Sequence, residues 1–196
     1  MPRPDRSRTA LVDTAALLFR RQGYAATGVN QILELADVKA GSLYHHFPDG
    51  KQQLAAAVVQ RAGADIECRL RELLDSGAPV TDIVDGWIDL TAAGLASDQR
   101  DGCPIEPIAT ESVHASAAVR AASAAAFDSW CRAVTDRLRT DGWAPERAQR
   151  TATAVIALIE GALILSRTSG DPAALDAAKA AARVLLGAQD TTCTAP

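Results

Sequence analysis

Residues 151–167, T-A-T-A-V-I-A-L-I-E-G-A-L-I-L-S-R, predict a helix that is apolar on nearly every side. A helix at a wet surface carries one apolar stripe and one polar stripe; this one has no polar stripe to turn outward. It falls short of the ~20 apolar residues that a bilayer demands, so no membrane partner is expected. Such a helix is covered by its own domain on one side and by a second copy of the chain on the other. Val155, Leu158, Ile159, Ala162 and Leu163 are available for that dimer contact. A further helix over 172–186 adds the small face Ala177, Ala181 and Val184. The alternative is a wholly internal core helix.

Elsewhere, apolar residues recur every three or four positions and β-branched runs long enough to build a sheet are absent. The expected fold class is all-α, about nine helices, with an N-terminal three-helix head on a helical body. Pro4 and Asp5 open the first helix, whose Leu11, Ala15, Leu18 and Phe19 share one face. Gly23 stops it by taking positive φ. A short second helix follows Thr27-Gly28, one of which caps it, with Val29, Ile32 and Leu33 inward. After the turn at 37–40, a third helix of two turns spans 41–47 and Pro48-Asp49-Gly50 breaks it. A long fourth helix runs from Lys51 to about Leu74. Helices at 81–95, 115–139, 151–167 and 172–186 follow, with a short helix or turn where Pro104 and Pro107 sit three apart. The domain reading is a three-helix head over 1–50, a connecting helix over 51–76, a larger helical domain over 77–188, and a disordered tail over 189–196.

Two short helices joined by a tight turn, after a longer one, make a helix-turn-helix. Net charge is -4, yet residues 1–63 hold 8 Lys/Arg against 5 Asp/Glu while residues 64–196 hold 12 against 19. Only a docking face must meet phosphates, so a basic head on an acidic body fits duplex DNA. Arg3, Arg6 and Arg8 oppose the dipole of the first helix, which leaves reach toward phosphate or plain solvation as their reason.

Chemistry of other kinds finds few ingredients. There are three histidines and four cysteines, none in a CxxC pair or a His–Cys cluster at metal-ligand spacing. Free thiols and a charged, proline-broken start point to the cytoplasm. Nucleophile elbow, phosphate-cradling loop and HExxH helix are all missing, and Ser42 has no triad around it. No enzyme, no cofactor and no metal are expected.

The run from Ala15 through Phe19-Arg20-Arg21-Gln22-Gly23-Tyr24 to Ile32, followed by Leu43-Tyr44-His45-His46-Phe47 and Lys51, closely resembles the tetracycline-repressor family of transcription regulators. The resemblance covers about residues 5–65. It implies an all-helical homodimer with a DNA-binding head and a ligand-binding body, in most cases a repressor released by a small molecule. One extra residue in Phe47-Pro48-Asp49-Gly50-Lys51 and the body segment Gly102-Cys103-Pro104-Ile105 look like the subgroup of lincomycin-resistance and flavonoid-responsive repressors. Lys39 stands where many members place Ser, and Ala40 where Lys is frequent, so the operator differs.

A helix in the major groove offers three or four side chains to base edges. Lys39, Ser42 and His45 are the candidates, with Ala40 and Gly41 letting the backbone approach. Lys39 on a guanine would supply about 1–3 kcal/mol of discrimination; a phosphate contact is its other reading. Tyr44 suits a phosphate through its hydroxyl, and Leu43 and Phe47 are core. Thr27 would cap the second helix and aim its amides at a phosphate, with Lys51 at another. His45 and His46 have no carboxylate at metal spacing.

For an effector pocket, the bulky or polar-in-apolar residues of the body are Trp87, Cys103, Ile108, Glu111 and His114, then Phe127, Trp130, Cys131 and Glu160. Glu160 inside the apolar run needs a partner: a cation across the dimer, a ligand amine or solvent. The function expected is a ligand-responsive repressor that binds palindromic operator DNA as a dimer, with an activator or a non-DNA-binding scaffold as alternatives.

Overall fold

The computed structural model describes residues 6–98, 102–112 and 114–187. Within them the chain forms nine helices and no strand: α1 (Arg6–Gln22), α2 (Val29–Ala36), α3 (Ala40–His46), α4 (Lys51–Leu74), α5 (Val80–Ser97), α6 (Glu106–Ser112), α7 (Ala117–Thr140), α8 (Pro145–Ser169) and α9 (Ala173–Gly187). Pro4, Asp5, Arg3 and the tail at 189–196 lie outside the described residues. Two compact units emerge: Met1–Glu67 with Arg100–Ser129, and Cys68–Gln99 with Trp130–Pro196. The compact units divide within α4, after α5 and within α7.

In the first unit, α1 buries Leu11, Val12, Ala15, Leu18 and Phe19, one face at helical spacing. Gly23 ends it at φ +87°, donating its N–H to the Phe19 carbonyl at 3.0 Å. The α2 N-cap is Gly28, with no side-chain hydrogen bond. Thr27 is therefore not the cap: it is 1% exposed and its hydroxyl donates back to the Gly23 carbonyl at 2.7 Å. Asp37 closes α2 in the left-handed region at φ 52°, returning its N–H to Glu34 and Leu33. Leu43 and Phe47 anchor α3, both buried. Gly63 of α4 is buried where α7 crosses; a Cβ there would stand 2.6 Å from the Ala126 Cβ.

In the second unit, α9 packs against α8 and α5. Two ion pairs join α9 to α5: Arg183 to Asp85 at 2.5 Å and Lys179 to Asp89 at 2.7 Å. Arg137 of α7 donates to the Leu74 carbonyl at the end of α4 and to the Ala78 carbonyl at 2.6 Å, while its Nε meets Asp141 at 3.0 Å. One guanidinium thus satisfies a carbonyl that the α4 C-terminus leaves open and one in the loop before α5. The apolar run belongs to a helix that starts earlier than its composition implies, at Pro145, a residue suited to the first helical turn. By length and composition α8 could cross a membrane. Its inward stripe, Thr151, Ala152, Val155, Ile159, Ala162, Leu163 and Ser166, is buried within the chain.

Candidate nucleic-acid interface

α3 has two sides with opposite fates. Leu43 and the capping Phe47 sink into the first unit, each at most 2% exposed. Lys39, Ala40, Gly41, Tyr44 and His45 are exposed, Tyr44 to 55%. A Cβ on Gly50 would lie 3.4 Å from Tyr44 Cε1, so the hydroxyl-end edge of the ring passes along the turn that follows α3. The His45 and His46 rings meet edge to face at 5.0 Å.

Ser42 departs from the expectation that it faces outward to read bases. It is half-buried, and its hydroxyl donates to Ser7 Oγ of α1 at 3.0 Å. His46, one turn on, places Nε2 2.9 Å from the same Ser7 oxygen. Both sit on the side of α3 that faces α1, because residues four apart share a helix face.

Lys51 is half-buried at the start of α4, its ammonium 4.2 Å from the centroid of the Tyr24 ring. Desolvation lowers its pKa, and the nearby Glu111 carboxylate works the other way. Burial raises the Tyr24 phenol. A cation over a ring face is attracted by its quadrupole, so Lys51 holds the α1–α2 turn as well as carrying charge. Thr27 is enclosed by the same turn and accepts from Gln22 Nε2 at 3.2 Å. Gln22 also bonds Gln31 Oε1 at 2.8 Å, fastening the end of α1 to α2. Thr27 is thus a brace inside the head, and buried hydroxyls do not reach phosphate.

Glu111 corrects another expectation. Placed in sequence among pocket residues, it accepts the Ala25 N–H at 2.5 Å and sits against Gly23, where a Cβ would meet its Oε1 at 2.5 Å. The carboxylate belongs to the α1–α2 turn, not to a body cavity. Neither it nor Ser7 carries a local sequence signal: their partners lie 86 and 35 residues away.

The other pocket candidates divide between the units. In the first, Cys103 and Ile108 are buried, Phe127 is half-buried and His114 is exposed. In the second, Trp130 is buried while Trp87, Cys131 and Glu160 are half-buried. A cavity of about 140 Å³ in the second unit is lined by other residues, among them Ala92, Leu95, Ser166, Pro172 and Leu175. Of the dimer candidates, Val155, Ile159, Ala162 and Leu163 are turned inward and at most 6% exposed within the chain. Leu158 and Ala181 are half-buried, and Ala177 is exposed. The α8 and α9 residues left outside include Leu165 at 61% and Val184 at 72% exposure. Among the described residues, no group of three His, Cys, Asp or Glu side chains could hold a metal ion.

Residues 11–58 match the family described as bacterial regulatory proteins, tetR family, and residues 79–181 match the LmrA/YxaF-like transcriptional regulator C-terminal domain. The HTH-type transcriptional regulator YxaF of Bacillus subtilis is 33% identical over 84% of this chain and 87% of its own length. Rv0196 of Mycobacterium tuberculosis, also described as an HTH-type transcriptional regulator, is 34% identical over 93% and 95%. A TetR transcriptional regulator from Legionella pneumophila has a similar fold, with a TM-score of 0.81 at 20% identity, covering 94% of this chain and 98% of that one. Match and geometry converge on a helix-turn-helix whose third helix stands free on one side. The chain belongs to the TetR family of transcription regulators, which are generally DNA-binding, ligand-responsive and not catalytic.

Proposed function

We propose that this protein is a repressor of the LmrA/YxaF-like subgroup. It acts in the cytoplasm, binds a two-fold symmetric operator as a homodimer and is released by a small amphipathic or aromatic effector. The observation that carries the reading is the exposure of Lys39, Gly41, Tyr44 and His45 on one side of α3 while Leu43 and Phe47 fix the other. A short helix held by its back and bare at its front is the form that enters a major groove. The match over residues 79–181 and relatives such as LmrA of Bacillus subtilis, 31% identical over 83% of this chain, support the subgroup reading.

Two heads reach half-sites one DNA turn apart only when a rigid body spaces them. The exposed α8 and α9 residues Leu165, Val184 and Ala177, with Leu158 and Ala181 at the edge, offer that contact. Effector binding acts by favouring a head spacing that no longer fits the groove.

The test is binding of the full-length protein to DNA upstream of its own gene across a salt series. Specific affinity should fall steeply with salt, as counterion release requires. Lys39→Ala with Tyr44→Ala should lower it at least roughly tenfold while leaving the dimer intact. Affinity untouched by that pair, or insensitive to salt, would sink the assignment.

A further inference from the structure

We infer that Ser7 is a positioning residue for α3: its hydroxyl clamps Ser42 and His46 to the first turn of α1 and so sets the angle at which Lys39 and His45 are offered to base edges and Tyr44 to the backbone. The inference rests on the regulator reading above. Its basis is one oxygen with two attachments on the same short helix. Ser42 Oγ donates to Ser7 Oγ at 3.0 Å, and His46 Nε2 lies 2.9 Å from it. The two α3 residues are four apart, so the clamp grips successive turns on one face.

α3 is a short helix. It spans seven residues, and its N-cap Lys39 makes no side-chain hydrogen bond to the helix. Leu43 and Phe47 hold it down, but apolar burial is non-directional and tolerates rolling. Hydrogen bonds weaken steeply with angle, so two of them a turn apart resist it. Readout of base edges demands placement within about 0.5 Å and 10–20°. A residue outside the reading face can therefore govern specificity. Arg8, the next residue, stacks its guanidinium 5.5 Å from the Phe47 ring and holds the same turn of α1 against the end of α3.

The experiment compares full-length protein on two duplexes of equal length, one spanning the upstream sequence that it protects in footprinting and one unrelated. Ser7→Ala should weaken the first by about three- to tenfold, the worth of a directional hydrogen bond. Affinity for the unrelated duplex and the slope of log K against log salt should not change. Ser7→Thr should restore binding, and Ser42→Ala, which cuts one of the two attachments and leaves Ser7 on His46, should show part of the Ser7→Ala loss. The double variant should be no weaker than the weaker single. Additive losses, equal losses on both duplexes, a salt slope shallower by about one, or no loss would overturn the clamp. A wild-type protein with no preference for its upstream sequence would sink the regulator reading and the clamp together, whereas wild-type preference that Ser7→Ala retains sinks the clamp alone.

Discussion

Gly23 shows how much a single position can hold. Its φ of +87° is a torsion that side chains resist, and the Glu111 carboxylate occupies the space a Cβ would need. Gly23→Ala should cost about 1–3 kcal/mol, read from urea denaturation, because it strains the turn and displaces Glu111 from the Ala25 N–H. In a Glu111→Ala background the cost should shrink to the torsional part, since the displaced group is gone. Equal costs in both backgrounds would deny the contact. Sequence alone identifies Gly23 as a helix stop, because that property is local. It cannot identify Glu111, whose acceptor role depends on α6 meeting a turn 86 residues earlier. Ser7 is hidden for the same reason. Thr27 misleads in a different way: Thr before a helix suggests a cap, but here the Gly23 carbonyl takes its hydroxyl and buries it.

At the scale of elements, the crossing of α4 and α7 at Gly63 and Ala126 is closer than two side chains allow. Gly63→Ala should destabilise by about 1–3 kcal/mol through overpacking, and Ala126→Gly in the same chain should recover much of it. A thermal melt of the two single variants and the pair measures the coupling; strict additivity would mean that the helices part freely. Eight of the nine described helices were legible from the spacing of apolar residues and from the turns between them; the segment of α6 read equally as a short helix or a turn, because Pro104 and Pro107 sit three apart. Their ends were less so. α8 begins at Pro145, ahead of its apolar run, because a charged first turn can still be helical. The inward side of α8 was not legible at all: a helix that is apolar all round has no polar face to orient it. Sequence therefore named Val155, Ile159, Ala162 and Leu163 for a partner, and packing took them for the core.

For the molecule as a whole, the distinction between the two sides of α8 gives the proposed dimer a sharp signature. Leu165→Glu with Val184→Glu should yield folded monomer in sedimentation, whereas Ala162→Asp, a charge in the core, should unfold the chain. A dimer that survives the first pair lies on another face. The first unit carries one more consequence. It is assembled from two stretches of chain, residues 1–67 and 100–129, with part of the second unit between them. A ribosome has therefore finished the whole helix-turn-helix well before it delivers Glu111 and Ala126. Until then the growing head lacks the acceptor for its α1–α2 turn, so a gene fragment ending at residue 67 would encode a less durable reader than the same helices inside the complete polypeptide.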